Sequence, residues 1–262
     1  MWYLIPILAV LFALVHLAKM ARLYLVLMEH KINLRRFVLL YCKTTFVNLI
    51  IPFKIGELYR IYKIKKETKL WQVGILSVVI DRFFDIFALF LILLPVDLFF
   101  KKQISTVTGF FFVLLALLTI IYMVVQPTYV YLNKYIIMHK ESNRSMLVLK
   151  GLEYVKEWYD FSTNLIRGRF ALITLSSLFG WIFEVFLLQI FARILFYFGQ
   201  MEETFGIENF ADYVTSIFLG GKNELTTKYT YGTAAIFLVL SILFSLATWL
   251  YKEQAVTSEK TR

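Results

Sequence analysis

Five apolar segments of this chain are each long enough to cross a lipid bilayer, and they constrain the fold more than any other feature. They cover residues 2–18, 72–95, 104–127, 170–198 and 230–251. A helix rises about 1.5 Å per residue, so segments of this length span a hydrocarbon core of roughly 30 Å. The sequence therefore predicts an all-α integral membrane protein with about five full transmembrane helices.

The composition agrees with a location in the membrane. Hydrophobic residues make up 60% of the 262 residues and charged residues 18%, whereas soluble domains average roughly 45–50% apolar and about 25% charged residues. The 28 Lys and Arg residues outnumber the 18 Asp and Glu residues, which gives a formal net charge of +10. In a membrane protein this excess favours anionic lipid headgroups as partners, and we expect no nucleic-acid partner.

The cysteine and histidine residues give no sign of a metal site. Cys42 is the single cysteine, so the chain cannot form an internal disulfide or a cysteine-based zinc cluster. The histidines His16, His30 and His139 lie far apart and show no ligand spacing. The sequence therefore predicts no metal and no cofactor.

The distribution of basic residues indicates how the chain enters the membrane. A shorter apolar stretch, 37–52, lies between two basic loops at 19–36 and 54–69. Positively charged loops prefer the cytoplasm, and a full crossing by 37–52 would place these loops on opposite sides. We therefore expect residues 37–66 to form a re-entrant helical hairpin that returns to the cytoplasmic face.

Two other segments predict a second membrane dip and an interfacial helix in the same membrane domain. Residues 205–229 include the short apolar piece YVTSIFLGG, which is compatible with a second, outward-facing dip and so with an inverted-repeat transporter. Residues 134–165 place apolar side chains on one face of a polar helix, which predicts a cytoplasmic interfacial helix, with a partner-binding helix as the alternative. We expect a single membrane domain over 1–251, beginning with a retained anchor, and a disordered cytoplasmic tail over 252–262.

Charged residues within the apolar regions provide the candidate site. Asp81, Arg82 and Asp85 lie in the middle of the second predicted span, where each charge costs roughly 2.5–3.5 kcal/mol on insertion scales. Glu57 and Arg60 are three residues apart in the preceding hairpin and share one helical face. We expect Arg60 to pair with Asp81 or Asp85, and Arg82 to pair with Glu57.

Two interpretations of these charges remain open. In one, they form ion pairs that hold the hairpin against the next span and bind no ligand. In the other, they line a headgroup site in which Arg60 and Arg82 bind phosphate while an acidic group titrates or binds a hydroxyl or amine. Glu184 lies in the middle of the fourth span, with Arg193 as its one local partner, and either closes the same cavity or forms a structural pair.

Pro52 breaks the helix at the hairpin tip, so a helix that restarts there leaves free N–H groups that attract an anion.

Two spaced motifs resemble those of a known family. The pattern N-x-x-x-P-x-x-x-G-E-x-x-R, followed after about twenty residues by D-R-x-x-D, is formed by Asn48, Pro52, Gly56, Glu57, Arg60, Asp81, Arg82 and Asp85. Over roughly 40–95 the chain resembles the flippase-like transmembrane domain of the lysylphosphatidylglycerol synthase transmembrane-region family, although that family more often has Glu at the position of Asp81. The resemblance implies movement of lipids or lipid-linked groups across the bacterial cytoplasmic membrane. Some members carry a soluble aminoacyl transferase, and no part of this sequence resembles that domain.

The leading functional hypothesis is therefore a lipid flippase that is not an enzyme and that moves an anionic phospholipid or a polyprenyl-phosphate-linked sugar. The predicted substrate-binding residues are Glu57, Arg60, Asp81, Arg82, Asp85 and Glu184, and the structural motif consists of Asn48, Pro52 and Gly56. The alternative is a non-catalytic membrane scaffold for a glycosyltransferase or another envelope-synthesis enzyme. A membrane-embedded transferase is less favoured because no histidine lies beside a nucleophile and no paired-aspartate motif lies near the first outside loop.

Overall fold

The computed structural model describes residues 3–51, 55–139, 143–201, 204–219 and 223–260. These residues form helices joined by short turns, with no β-strand among them, which confirms the predicted all-α membrane protein. The helices are α1 (Leu4–Leu27), α2 (Leu34–Ile50), α3 (Ile55–Thr68), α4 (Trp71–Val96), α5 (Thr106–His139), α6 (Asn143–Ile166), α7 (Phe170–Tyr197), α8 (Phe210–Leu219) and α9 (Glu224–Lys260).

Five helical segments in the described part of the chain are long and apolar enough to cross a membrane. They are Leu4–His30, Trp71–Lys101, Thr106–Met138, Phe170–Tyr197 and Glu224–Ala247. Each overlaps one of the five predicted spans, so the number and order of the spans are confirmed.

The first span is longer than predicted. The sequence predicts that this span ends at residue 18 and that Lys19 and Arg22 lie in a cytoplasmic loop. In the structure α1 continues as helix through both residues to Leu27. This correction moves both basic residues from a loop into a membrane-spanning helix, where Arg22 is buried and Lys19 is partly buried.

Helices α2 and α3 form the helical hairpin that the sequence predicts, and α3 packs on α4 while α2 packs on α9. Close backbone approaches fix this arrangement. A Cβ atom on Gly56 would lie 2.4 Å from the Cα atom of Asn48, and one on Gly74 would lie 2.7 Å from the carbonyl oxygen of Ile61. Since real Cβ atoms do not approach so closely, glycine is required at both positions for α2, α3 and α4 to pack in this way.

Four other predicted features concern the path of the hairpin, an outward-facing dip, the interfacial helix and the C-terminal tail. The re-entrant path of the hairpin stays a prediction, and Pro52 at its tip lies outside the described residues. Residues 205–229 contain the short helix α8 and the start of α9, while the outward-facing dip stays a prediction. The predicted interfacial helix over 134–165 is divided between two helices, because its first residues belong to the end of α5 and its later residues to α6. The position of α6 at the lipid headgroups stays a prediction. The disorder of the tail also stays a prediction, although the described helix α9 extends to Lys260.

Three apolar clusters hold the helices together. One joins α4, α5, α7 and α8 around Phe111 and Tyr213. A second joins α1, α2, α3 and α9 around Leu23 and Ile64. The third joins α1 and α4 to the neighbouring ends of α6 and α7, and Phe84 is its largest fully buried side chain. Polar and charged side chains of α1, α3, α4 and α7 meet between these clusters and form the site described below.

The close approach at the hairpin leads to a first prediction. We expect Gly56→Ala to lower the thermal stability of the purified protein in detergent, because the added methyl group overlaps the backbone of Asn48 and overpacking typically costs about 1–3 kcal/mol. Gly232→Ala is the matched control, since a Cβ at that helical position meets no atom within 4 Å. Equal melting temperatures for the two variants would contradict the packing described here.

Candidate functional site

The centre of the site is Arg22, which α1 places among the helices at 3% exposure. Its Nε atom lies 2.6 Å from Oδ1 of Asp81, and its Nη1 atom lies 2.5 Å from Oδ1 of Asp85. The two carboxylates are one helical turn apart on α4 and therefore face α1 together. Helix α7 completes this centre, because Ser177 accepts a hydrogen bond from Arg22 and the Trp181 indole donates one to Asp85 at 3.0 Å.

Helix α3 adds two further cross-helix ion pairs. Arg60 Nη1 donates to Asp81 Oδ2 at 2.8 Å. Arg82 Nε lies 2.6 Å from Glu57 Oε1, and Arg82 Nη1 lies 3.4 Å from Asp85 Oδ2. Both pairings expected from the sequence, Arg60 with Asp81 and Arg82 with Glu57, are therefore present. Each of these three arginines has at least one carboxylate partner, so their charges are compensated.

Glu184 on α7 has a partner that the sequence did not indicate. Its Oε2 atom forms an ion pair with Lys19 of α1, and its Oε1 atom accepts a hydrogen bond from the Tyr213 hydroxyl at 3.0 Å. Arg193 was the one local candidate, but nine residues correspond to two and a half helical turns, which place it on the other side of α7. The partner is instead supplied by α1, which packs along α7.

These side chains line a cavity of about 430 Å³, a volume in the range of small-ligand sites. All six predicted binding residues line it: Glu57, Arg60, Asp81, Arg82, Asp85 and Glu184. Asn48 of the predicted structural motif also lines it, whereas Gly56 is buried at the contact between α2 and α3. The sequence thus predicted residues that the fold brings together, and their binding of a substrate stays a prediction.

The charged residues of the lining balance one another. We call them the charged wall: Lys19, Arg22, Arg60, Arg82, Glu57, Asp81, Asp85 and Glu184. The wall comes from α1, α3, α4 and α7 and contains four cations and four carboxylates, so its formal net charge is zero. Glu57, Arg60, Asp81, Arg82 and Asp85 together have a net charge of −1. Glu184, which the sequence also predicted, adds one negative charge, and Lys19 and Arg22, which only the structure brings to the site, add two positive charges.

A second set of helices contributes no charged side chain to the described lining. We call the polar residues that α2, α8 and α9 place there the uncharged wall: Tyr41, Thr44, Thr45, Asn48, Tyr213, Ser216, Thr226, Tyr229, Thr230 and Thr233. The cavity therefore combines one ionic wall with one wall of hydroxyl and amide groups.

Sequence reasoning missed the contributions of α1 to this site. Besides Lys19 and Arg22, α1 places His16 in the lining, where its ring lies between Phe12 and Phe237 at centroid distances of 4.5 Å. The three polar residues recur every three positions, which keeps them near one side of a helix. The apolar run LYLVL after Arg22 was the available signal that α1 continues past its cations.

The central position of Arg22 leads to a second prediction. We expect Arg22→Met to destabilise the protein by about 3–5 kcal/mol, because it leaves Asp81 and Asp85 with fewer partners in a buried site. A second substitution, Asp85→Asn, should restore part of this loss by removing one of the uncompensated charges. Arg36→Met is the control, since Arg36 is exposed. Thermal unfolding in detergent checks all three variants, and an unchanged melting temperature for Arg22→Met would contradict the assignment.

Comparison with known proteins places this architecture in a family. Residues 1–197 match the model of the family described as the lysylphosphatidylglycerol synthase TM region. No curated protein and no solved structure shows a significant match to the chain. The matched residues include α1 to α7 and hence the complete charged wall, whereas α8 and α9 lie beyond them. The chain belongs to the lysylphosphatidylglycerol synthase transmembrane-region family and is a multi-pass membrane protein.

Proposed function

We propose that this protein is a lipid flippase of the bacterial cytoplasmic membrane and not an enzyme. The lipid headgroup passes through the cavity between the two walls while the acyl or prenyl chain stays in the bilayer. The candidate substrates are an anionic phospholipid and a polyprenyl-phosphate-linked sugar. Membership of a family of membrane domains and the resemblance of the two motifs support this proposal.

The observation that carries the proposal is a cavity lined by ion pairs within membrane-spanning helices. Ion pairs that serve only to hold helices together gain most when they are packed without empty space, since close packing supplies further stabilisation. Here eight charged side chains line a cavity of about 430 Å³ instead. A polar cavity between membrane-spanning helices lowers the cost of moving a hydrated headgroup through an apolar layer.

Burial separates the charged wall into an inner and an outer part. The side chains of Arg22, Asp81 and Asp85 are almost completely buried, at 4–6% exposure, whereas that of Arg82 is 29% exposed. The Glu57 side chain that pairs with Arg82 is also partly exposed. The inner part therefore fixes the helices, and we assign headgroup contact to the outer part. A lipid phosphate exchanges with Glu57 as a partner of Arg82 and leaves the inner ion pairs in place.

This assignment leads to a third prediction. We expect the double substitution Glu57→Gln/Arg82→Gln to lower the rate of lipid movement by at least about tenfold, because it removes the guanidinium that binds phosphate. Removal of both partners leaves no unpaired charge between these two positions, so the fold should be retained. The measurement uses proteoliposomes that contain acyl-labelled fluorescent phosphatidylglycerol or, separately, a short-chain polyprenyl-phosphate sugar, with an impermeant quencher outside.

The matched control is Glu29→Gln/Arg169→Gln. This pair also joins two helical regions, with Arg169 Nη2 2.8 Å from Glu29 Oε1, but neither residue lines the cavity. We expect normal transport by this control. If both double variants transport at the wild-type rate, the ion pairs serve only to hold the helices and the site assignment is wrong.

The scaffold hypothesis has a separate consequence in the same assay. Helix α6 presents exposed apolar side chains, including Leu147 and Tyr154, on which an envelope-synthesis enzyme such as a glycosyltransferase would dock. If the folded wild-type protein moves neither lipid, and a partner co-purifies with variants of the charged wall as well as with the wild type, the scaffold is the better description.

A further inference from the structure

The uncharged wall has a regular arrangement on α9. Thr226, Thr230 and Thr233 recur at positions i, i+4 and i+7, so they lie on one face of the helix with Tyr229 beside them, and all four line the cavity. Helix α8 adds Ser216 and helix α2 adds Thr45. Three helices thus present hydroxyl groups to the same cavity that the charged wall lines.

Hydroxyl groups in membrane helices often serve the helix itself by bonding to a backbone carbonyl one turn earlier. Thr227, which lies outside the lining, does so by donating to the carbonyl oxygen of Asn223 at 3.0 Å. Thr226 instead exchanges a hydrogen bond with Ser216 across the cavity lining at 2.6 Å. The hydroxyl group of Thr230 also faces the cavity, and it has no hydrogen-bond partner among the described residues. Other hydroxyl groups of the uncharged wall bond within the protein, as Tyr213 does to Glu184 and Thr44 to the carbonyl oxygen of Leu40. Thr230 is therefore the hydroxyl group that a ligand reaches without breaking a hydrogen bond of the protein.

The charged wall limits the ionic part of that ligand. Each of its four cations already pairs with a carboxylate, so the wall has no excess positive charge for a multiply charged anion. Two groups can donate to a single phosphate. One is the buried Arg60 Nε atom, which has no hydrogen-bond partner in the described part of the chain. The other is the partly exposed guanidinium of Arg82, which can exchange Glu57 for the phosphate. A phosphodiester with one negative charge fits this supply better than a pyrophosphate.

Hydroxyl side chains match a specific class of headgroup. A hydroxyl group both donates and accepts hydrogen bonds, whereas a guanidinium only donates and a carboxylate only accepts. A sugar or polyol presents many groups that need both kinds of partner. A headgroup without hydroxyl groups would displace water from the Thr230 hydroxyl group and leave that group unpaired, which is unfavourable.

We propose that the lipid moved through this cavity has a polyhydroxylated headgroup, a sugar or cyclic polyol joined to the lipid by a single phosphodiester. The headgroup hydroxyls bind the uncharged wall, mainly at Thr226 and Thr230, and the phosphate binds Arg60 and Arg82. This proposal rests on the proposed lipid transport and selects, within it, the hydroxyl-rich class of substrate.

The test compares acyl-labelled lipids that share one phosphodiester and its charge. Phosphatidylinositol carries a cyclic polyol, phosphatidylglycerol a short polyol, and phosphatidylethanol no free hydroxyl group. Movement of each lipid is measured in proteoliposomes of wild-type protein with an impermeant quencher. We expect phosphatidylinositol to move at least about tenfold faster than phosphatidylethanol, with phosphatidylglycerol between them, since a site built to bind hydroxyl groups rejects an analogue that lacks them.

Substitutions in the uncharged wall test the same inference from the protein side. Thr230→Val removes a hydroxyl group that has no protein partner and keeps the shape of the side chain, so it should retain the fold. We expect Thr226→Val/Thr230→Val to slow phosphatidylinositol by about tenfold, as for two lost hydrogen bonds, and to leave phosphatidylethanol unchanged. Thr227→Val on the same helix is the control and should match the wild type for every lipid.

The outcomes separate this inference from the function on which it rests. If the wild-type protein moves all three lipids at equal rates, the flippase stands and the polyol specificity is wrong. The same conclusion follows if Thr226→Val/Thr230→Val and its control Thr227→Val slow all three lipids to the same extent. If the folded wild-type protein moves none of the three lipids and no polyprenyl-phosphate sugar, the proposed function fails and the specificity fails with it.

Discussion

The ion pairs of Arg22 with Asp81 and Asp85 are the interaction on which the rest of this structure depends. Each of these groups would be costly alone in the apolar interior of a membrane domain, and together they compensate one another. Their geometry requires α1 and α4 to keep a fixed rotation and height. Helix α7 is held at the same point because Ser177 and Trp181 bond to this centre. One buried guanidinium thereby positions three membrane-spanning helices.

The hairpin of α2 and α3 depends on a steric condition as well as an ionic one. Glu57 and Arg60 reach α4 because the backbones of α3 and α4 approach closely at Gly74, and α2 approaches α3 closely at Gly56. A side chain at either glycine would push the helices apart. The ion pair between Arg60 and Asp81, at 2.8 Å, would then lengthen and weaken. The glycine positions and the charged positions of the two motifs therefore form one structural unit.

In the proposed function, the two walls of the cavity bind different parts of the lipid headgroup. The charged wall has no formal net charge, so it does not accumulate counterions. It offers a ligand hydrogen-bond donors and acceptors in fixed positions. The uncharged wall contributes the hydroxyl groups of α2, α8 and α9. A phosphodiester and a polyol headgroup need these two kinds of partner at the same time. The same arrangement would serve a fixed scaffold poorly, because its polar groups would face a cavity without ligand.

The sequence by itself determined the five membrane spans, the helical hairpin and six of the eight residues of the charged wall. Long apolar runs and charges inside them are local features, and their meaning in a membrane does not depend on distant residues. Only the tertiary structure decided the partners of Glu184, Asp81 and Asp85 that come from α1. Because Lys19 and Arg22 follow an apolar run, their position in the sequence is typical of the end of a membrane span. Their burial depends on carboxylates more than fifty residues away in the sequence, which only folding brings into contact.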